Sequence, residues 1–158
     1  MPVLLKQFVP SNVCLKCDGC CRFQSADSAW RPKWDKKKFT DDHDYVTTIV
    51  DCGKHLCRFL NKAEGTCKVY PDRPFECALY PFLLSKGQRG IDVYVHLACP
   101  FVQDHQADQL MEEYIGYLKI FFTSVGTLDF LRRNKQLLQD YTPHLMEMRH
   151  VFTIQAVI

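Results

Sequence analysis

No stretch of the chain is apolar over the length that a membrane-spanning helix needs, because the longest apolar runs are only a few residues. The apolar residues 3–5 are too few for the core of a signal peptide, and no small-residue cleavage pattern follows them. Internal repeats and low-complexity segments are also absent. We therefore expect a cytoplasmic protein that does not associate with a membrane.

A strong excess of charge of either sign is missing as well. The chain has 20 basic and 18 acidic side chains, which gives a net charge of +2 at pH 7. A charge of that size exerts no general attraction on nucleic acid or on anionic lipid. We therefore expect no nucleic-acid partner.

Two common catalytic signatures are not found in the sequence. There is no glycine-rich G-x-G-x-x-G loop of the kind that binds dinucleotides. No set of serine, histidine and acidic residues is recognisable by spacing, although distance along the chain cannot exclude one. The sequence therefore leaves open whether the protein is an enzyme.

The hydrophobic pattern predicts a single α+β domain over residues 1–158, in which short strands, loops and a short helix pack against two C-terminal helices. Strands are predicted at 56–60 and 66–70, joined by a loop with Gly65 in the left-handed conformation, and again at 82–85 and 91–97. A short helix is predicted near Pro74, ended by Pro81. Helices are expected at 104–123 and 127–141, followed by a final strand that includes Phe152.

Cysteine, in contrast, is abundant: the chain has nine, and four of them lie within residues 14–21. An odd count, a pair of adjacent cysteines and the lack of an export signal disfavour a disulfide framework. The run Cys-x-x-Cys-x-x-Cys-Cys instead suits a soft metal, because a tight turn can direct several sulfurs at one point. Gly19 is expected to adopt a positive φ there.

The other five cysteines are spread over the following residues, at Cys52, Cys57, Cys67, Cys77 and Cys99. Four thiolates would leave a formal charge of −2 on either Zn²⁺ or a [4Fe–4S]²⁺ core. Five basic residues lie within four positions of a candidate ligand and could offset that charge or simply be solvated: Lys16, Arg22, Arg58, Lys68 and Arg73.

Several short motifs in order resemble those of one family: the Cys14–Cys21 run, Cys57-Arg-Phe-Leu, Cys67-Lys-Val-Tyr, Arg-Pro before Cys77, Tyr-Pro-Phe and Cys99-Pro. Over residues 14–100 the chain is similar to the CxxCxxCC, or YkgJ-type, cysteine-cluster proteins, which are zinc- or iron-chelating domains. The resemblance implies a metal-binding part at 14–100 and leaves a helical tail at 104–158. It implies eight metal ligands: Cys14, Cys17, Cys20, Cys21, Cys57, Cys67, Cys77 and Cys99. Cys52 has no counterpart, and Ala78 stands where the family often has arginine.

The family also resembles flagellin lysine N-methylases, which have a similar cysteine motif and depend on a [4Fe–4S] cluster. This implies one or two [4Fe–4S] clusters here, with a redox role or an accessory role in protein modification. One alternative is a structural Zn²⁺ module that presents its helical tail to a protein partner. Another is an enzyme related to the methylases, although those enzymes are much longer than this chain.

The eight cysteines divide into two sites in one reading. Adjacent side chains usually diverge, so Cys20 and Cys21 are predicted to serve different metals. By the pattern of two-cluster ferredoxins, the first three cysteines of the run pair with Cys99, which precedes a proline. The second site then consists of Cys21, Cys57, Cys67 and Cys77. The alternative is one metal, with the remaining thiols buried or close by.

Two other groups of residues are candidates near the cysteines. His55 and His96 could each replace a thiolate as a ligand, but a hydrogen-bonding or surface role is favoured. Trp30 and Trp34, followed by lysines at 36–38, could form a patch for single-stranded nucleic acid. Because the net charge is small, we favour a lid over the metal site.

Overall fold

A computed structural model describes residues 4–17, 19–35 and 44–158. The chain forms two compact units. Val9–Ala78 is called the cysteine unit below, and Met1–Phe8 together with Leu79–Ile158 is called the sheet unit. Strands and helices occur together, which confirms the α+β class. The prediction of one domain over residues 1–158 stays a prediction.

The cysteine unit is built from short elements. Its helices are α1 (Ser11–Cys14) and α2 (Phe75–Leu79), the second ending at the boundary of the unit. Its strands are β1 (Arg22–Phe23), β2 (Thr48–Asp51), β3 (Lys54–Cys57), β4 (Leu60–Asn61) and β5 (Thr66–Cys67). They form two antiparallel sheets, one with the order β1-β3-β2 and one of β4 and β5. Such short pairings need additional support to be stable.

The predicted hairpin at 56–70 is confirmed at its turn and wrong in its first strand. Gly65 has φ 67°, as expected for the left-handed position of the loop. The first strand, however, is divided: Cys57 ends β3 and faces Thr48 of β2, whereas Leu60 begins β4 and faces Cys67. Cys57 and Cys67 therefore do not project from one face of a single hairpin.

A helix-covered antiparallel sheet forms the sheet unit. Its strands β6 (Phe82–Lys86), β7 (Ile91–His96) and β8 (Met148–Ile154) lie in that order. Its helices are α3 (Pro100–His105), α4 (Gln109–Thr123) and α5 (Val125–Arg133). Alternate residues of β7 are buried, and α4 buries Met111, Tyr114, Leu118 and Phe122. This spacing of three and four residues is that of an amphipathic helix, and it confirms the helical prediction for this stretch.

Element boundaries in the sheet unit differ from the predictions where capping side chains intervene. The carboxylate of Asp108 accepts a hydrogen bond from the backbone N–H of Met111 and starts α4, so the predicted helix at 104–123 is two helices. Ser124 caps α5, which ends at Arg133 rather than at 141. Beyond it the chain continues in short 3₁₀ turns. None of the helices in the described ranges is long and apolar enough to cross a membrane.

Candidate metal centre

Seven of the eight predicted ligands lie in the cysteine unit, on four separate parts of the chain. Cys14 ends α1, and Cys17, Cys20 and Cys21 follow within the next turn. Cys57 ends β3, Cys67 ends β5, and Cys77 lies in α2. The thiol of Cys20 interacts electrostatically with five of the others: Cys14, Cys21, Cys57, Cys67 and Cys77. The fold therefore gathers thiols from distant segments around Cys20.

Local hydrogen bonds shape the first cysteine run. The backbone N–H of Cys14 donates to the carbonyl of Pro10 at 2.9 Å, and that of Cys17 donates to the carbonyl of Cys14 at 3.2 Å. Residues Gly19–Cys21 then form a 3₁₀ turn. Gly19 is not among the residues with positive φ, so that expectation is wrong. A side chain at Gly19 would instead contact the sulfur of Cys17, because a Cβ there would lie 3.7 Å from it.

The gathered thiols resist ionisation. Burial raises the pKa of Cys57 to about 11 and raises the pKa of Cys77 well above its ordinary value. Burial also raises the pKa values of Cys14 and Cys67, and the neighbouring Cys20 adds to both effects. A buried thiolate without a nearby cation is costly, and several together repel one another. A bound metal cation would compensate the charge of these thiolates, since metal ligation keeps thiols deprotonated.

The adjacent pair Cys20 and Cys21 does not diverge as expected. Their side chains are in hydrogen-bond contact, and this contact, followed by burial, raises the pKa of Cys21 strongly. Cys57 and Cys77 also act on Cys21, which places Cys20 and Cys21 in the same group of thiols. The division of the cysteines into two particular sets of four stays a prediction.

The thiols are gathered without forming a closed coordination shell. Across residues 4–17, 19–35 and 44–158, no three histidine, cysteine or acidic side chains are arranged so that they could hold one ion. The donor set nevertheless fits a soft metal in its chemistry, because sulfur ligands are those preferred by zinc and by iron–sulfur clusters.

Two arginines supply positive charge to this group of thiols. Arg73 lies over the ring of Tyr70, with its guanidinium carbon 3.9 Å from the ring centroid. Arg58 lies over the ring of Phe59 at 4.5 Å. Against the dominant effect of burial, Arg73 lowers the pKa values of Cys14 and Cys67, and Arg58 lowers that of Cys57. For Arg58 and Arg73, two of the five basic residues named above, these contacts favour a role in offsetting the charge of the thiolates over simple solvation.

A buried ion pair anchors the helix that carries Cys77. The Lys33 ammonium is 3.0 Å from a carboxylate oxygen of Glu76, and the backbone N–H of Lys33 donates to the other oxygen at 2.8 Å. Asp35 accepts a hydrogen bond from the backbone N–H of Phe75 at 2.7 Å, at the start of α2. Sequence reasoning missed both contacts, because each joins residues at least 40 positions apart. The one feature of the sequence that could have indicated the burial of Lys33 is its position between Pro32 and Trp34.

The tryptophans belong to the apolar cluster that contains Cys57, and a lid over the metal site stays a prediction. Trp34 is only 7% exposed and clusters with Phe23, Val46 and Cys57. Trp30 and Cys21 pack against this cluster. A side chain as buried as Trp34 cannot stack on a nucleic-acid base without unfolding its surroundings. The lysines at 36–38 lie outside the described residues.

The remaining candidates lie elsewhere. Cys99 is buried in the sheet unit, directly before α3, and its role as a ligand stays a prediction. His96, in the same unit, shares a hydrogen bond of 2.9 Å between its Nδ1 and the hydroxyl of Tyr80. His55 lies on β3 between Phe23 and Val50. For His96 the observed contact is the hydrogen-bonding role that the sequence favoured.

Cys52 is exposed at the turn between β2 and β3, where it has φ 49°. The turn and Cys57 lie at opposite ends of β3, so the Cys52 thiol is separated from the gathered group by the length of the strand. We expect Cys52→Ala to keep the full metal content of the wild-type protein, as measured by elemental analysis. A clear loss of metal would contradict this, and Cys20→Ser serves as the matched variant that should lose metal.

The fold is thus that of a cysteine-cluster protein whose thiols have the donor chemistry of a soft-metal site. The chain belongs to the CxxCxxCC family, described as a zinc- or iron-chelating domain, whose model matches residues 13–110. No curated protein and no solved structure shows significant similarity to the chain.

Proposed function

We propose that this protein binds iron or zinc through the cysteines of its cysteine unit. The observation that supports this most is the convergence of thiols from α1, β3, β5 and α2 around Cys20. Their pKa values are raised in the absence of a cation, and Arg58 and Arg73 already offset part of the charge that bound thiolates would carry. The ligands would be drawn from the eight cysteines of the family pattern.

The form that we favour is one or two [4Fe–4S] clusters. A Cys-x-x-Cys-x-x-Cys run is a usual ligand pattern for such a cluster. The seven thiols of the cysteine unit exceed the four that one cluster or one tetrahedral Zn²⁺ takes, so their number agrees with more than one site. A cluster would supply one-electron transfer, and the protein would hold it, shield it with Trp34 and offset its charge. This fits a redox role or an accessory role in protein modification, in the reducing environment of the cytoplasm.

The second candidate is a structural zinc module with a protein partner. Ile120 on α4 and Val125 at the start of α5 are each 75% exposed, which is unusual for large apolar side chains on helices that otherwise bury theirs. In this form the zinc would stabilise the fold and would not react. An enzyme of the methylase type is a further alternative.

Metal and sulfide analysis tests the proposal. The full chain is purified without oxygen and analysed for iron, zinc and acid-labile sulfide, with Cys20→Ser and Cys52→Ala prepared in parallel. Iron with matching sulfide and a brown colour would support the cluster, and zinc without sulfide would support the structural module. In both cases Cys20→Ser should lose the metal. A wild-type protein without either metal, even after reconstitution, would overturn the proposed function.

A further inference from the structure

We propose that Tyr70 and Arg73 form a positioning pair that holds the Cys14 sulfur for the metal and slows metal release. This inference rests on the proposed metal binding and assigns a specific role to two residues that are not themselves ligands. The pair lies between Cys67 and Cys77, in the 3₁₀ turn Tyr70–Asp72 and at the residue after it.

The position of Arg73 is fixed by two contacts with Tyr70. Its guanidinium carbon Cζ lies over the phenol ring, 3.9 Å from the centroid. Its Nη1 donates a hydrogen bond of 2.6 Å to the backbone carbonyl of Tyr70. A planar guanidinium that is both stacked and hydrogen-bonded loses much of the freedom of a solvated side chain. The positive charge is therefore held at one place beside the thiols.

The hydroxyl of Tyr70 connects this turn with α1. It lies 3.2 Å from the hydroxyl oxygen of Ser11 and also hydrogen-bonds to the thiol of Cys14. A phenol has one proton, so it can donate to one of these partners at a time. A metal-bound thiolate is the stronger acceptor, and the Ser11 hydroxyl can then donate to the Tyr70 oxygen. Tyr70 thus orients a sulfur that comes from a segment distant in sequence.

The charge of Arg73 acts on two candidate ligands from different elements. Arg73 is among the charged groups that act on the Cys14 thiol at the end of α1 and on the Cys67 thiol at the end of β5. Arg58 provides a comparison, because it stacks on Phe59 and acts on Cys57, but its ring has no hydroxyl. The Tyr70–Arg73 pair, in contrast, joins a cation held over a ring to a hydroxyl that hydrogen-bonds to a thiol.

Three variants separate the parts of this pair. Tyr70→Phe keeps the ring under Arg73 and removes the hydroxyl. Arg73→Gln removes the charge, and Arg73→Lys keeps the charge without the planar stack. The matched control is Lys68→Gln, which removes the same charge from an exposed side chain next to Cys67. Tryptophan emission from Trp30 and Trp34, which lie in the same unit, checks that each variant is folded, and Tyr70→Phe is the mildest change.

The experiment uses the full chain loaded with Co²⁺, whose sulfur-to-metal absorption reports on thiolate binding whichever metal is native. The loss of this absorption in excess chelator gives the release rate. Tyr70→Phe and Arg73→Gln should each release Co²⁺ about 10- to 100-fold faster, the usual effect of losing a partner of a metal ligand. The release rate of Arg73→Lys should lie between those of these two variants and that of the wild-type protein. Lys68→Gln should release Co²⁺ at nearly the wild-type rate.

Spectral position distinguishes positioning from general destabilisation. A hydrogen bond to a thiolate lowers the energy of the sulfur electrons, so its loss in Tyr70→Phe should move the sulfur-to-cobalt band to longer wavelength. Wild-type release rates and an unmoved band in folded Tyr70→Phe, or equal effects of Arg73→Gln and Lys68→Gln, would overturn the inference. A wild-type chain that gives no sulfur-to-cobalt band and also binds neither iron nor zinc after reconstitution would instead overturn the proposed metal binding.

Discussion

Replacing Cys77 with serine should release the bound metal and unfold the cysteine unit, while the helices of the sheet unit persist. Cys77 lies in α2 and interacts with Cys20, Cys57 and Cys67, so it joins the last segment of the unit to three others. Serine has nearly the same shape but binds a soft metal poorly. The change therefore removes a ligand with little disturbance of packing.

The expected effect is large because the cysteine unit has little else to stabilise it. Its strands are two to four residues long, and one buried cluster of Phe23, Trp34, Val46 and Cys57 forms part of its core. Structural zinc sites contribute about 10–16 kcal/mol, which equals or exceeds the roughly 5–15 kcal/mol of a typical domain. Loss of the metal should therefore leave the unit unstable.

The two units have separate spectroscopic signals, which makes the test specific. Both tryptophans of the chain, Trp30 and Trp34, belong to the cysteine unit, so tryptophan emission reports on that unit alone. Helical circular dichroism comes mainly from α4 and α5, which have 15 and 9 residues in the sheet unit. Cys77→Ser, or the wild-type protein in chelator, should show red-shifted emission with most of the helical signal retained.

Cys52→Ala is the control, since it changes a cysteine of the same unit outside the family pattern. It should keep both the metal and the wild-type emission. A Cys77→Ser protein that has lost its metal, yet melts at the wild-type temperature with unshifted emission, would show that the metal does not stabilise the fold.

Local patterns predicted those elements whose stability depends on nearby residues. The strands β6 and β7, the turn at Gly65 and the amphipathic stretch of α4 follow from alternation, turn chemistry and helical spacing. The first strand of the hairpin at Cys57 was predicted wrongly. Its alternating pattern runs without a break along the sequence, but the segment pairs with two different strands, β2 and β5. The backbone N–H of Arg58 donates to the carbonyl of Thr47, and that of Lys68 donates to the carbonyl of Phe59. These hydrogen-bond partners depend on the tertiary structure and not on the local sequence pattern.

The same limit applies to the candidate site. The cysteines were identifiable because their type and spacing are unusual, and their convergence on Cys20 agrees with the family pattern. The residues that support the cysteines could not be identified from the sequence. Lys33, Asp35 and Tyr70 contact partners that are 40 or more positions away. A lysine or a tyrosine is common on any surface. Only the fold shows which of them face a carboxylate or a thiol.

Lys33→Met should destabilise the cysteine unit by about 3–5 kcal/mol, the usual cost of removing one partner from a buried ion pair. Lys33 is 3% exposed and Glu76 is 13% exposed, so water cannot replace the lost contact. Methionine keeps an apolar side chain of similar length, although it also loses the contact of the Lys33 ammonium with the Tyr45 ring, at 5.6 Å from the centroid. The cost therefore comes from leaving the Glu76 carboxylate without its cation, one residue before Cys77.

The companion variant Lys33→Met/Glu76→Gln should recover most of that loss. Glutamine removes the uncompensated charge and keeps an oxygen that can accept from the backbone N–H of residue 33, so this backbone donor keeps its acceptor. Stability is measured by denaturant unfolding of the metal-loaded protein, followed by tryptophan emission. Recovery in the double variant would identify the unpaired carboxylate as the cause of the loss.

Lys62→Met is the matched control for this pair. Lys62 also makes an ion pair of 3.0 Å, with Asp51, but the two side chains are 49% and 42% exposed. An exposed pair contributes only about 0–1 kcal/mol because water and salt screen it. If Lys33→Met costs no more than Lys62→Met, or if the double variant is as unstable as the single one, the buried pair does not anchor α2. In that case Cys77 must be held in place by other contacts, such as the metal, the packing of Phe75 and the hydrogen bond between Phe75 and Asp35.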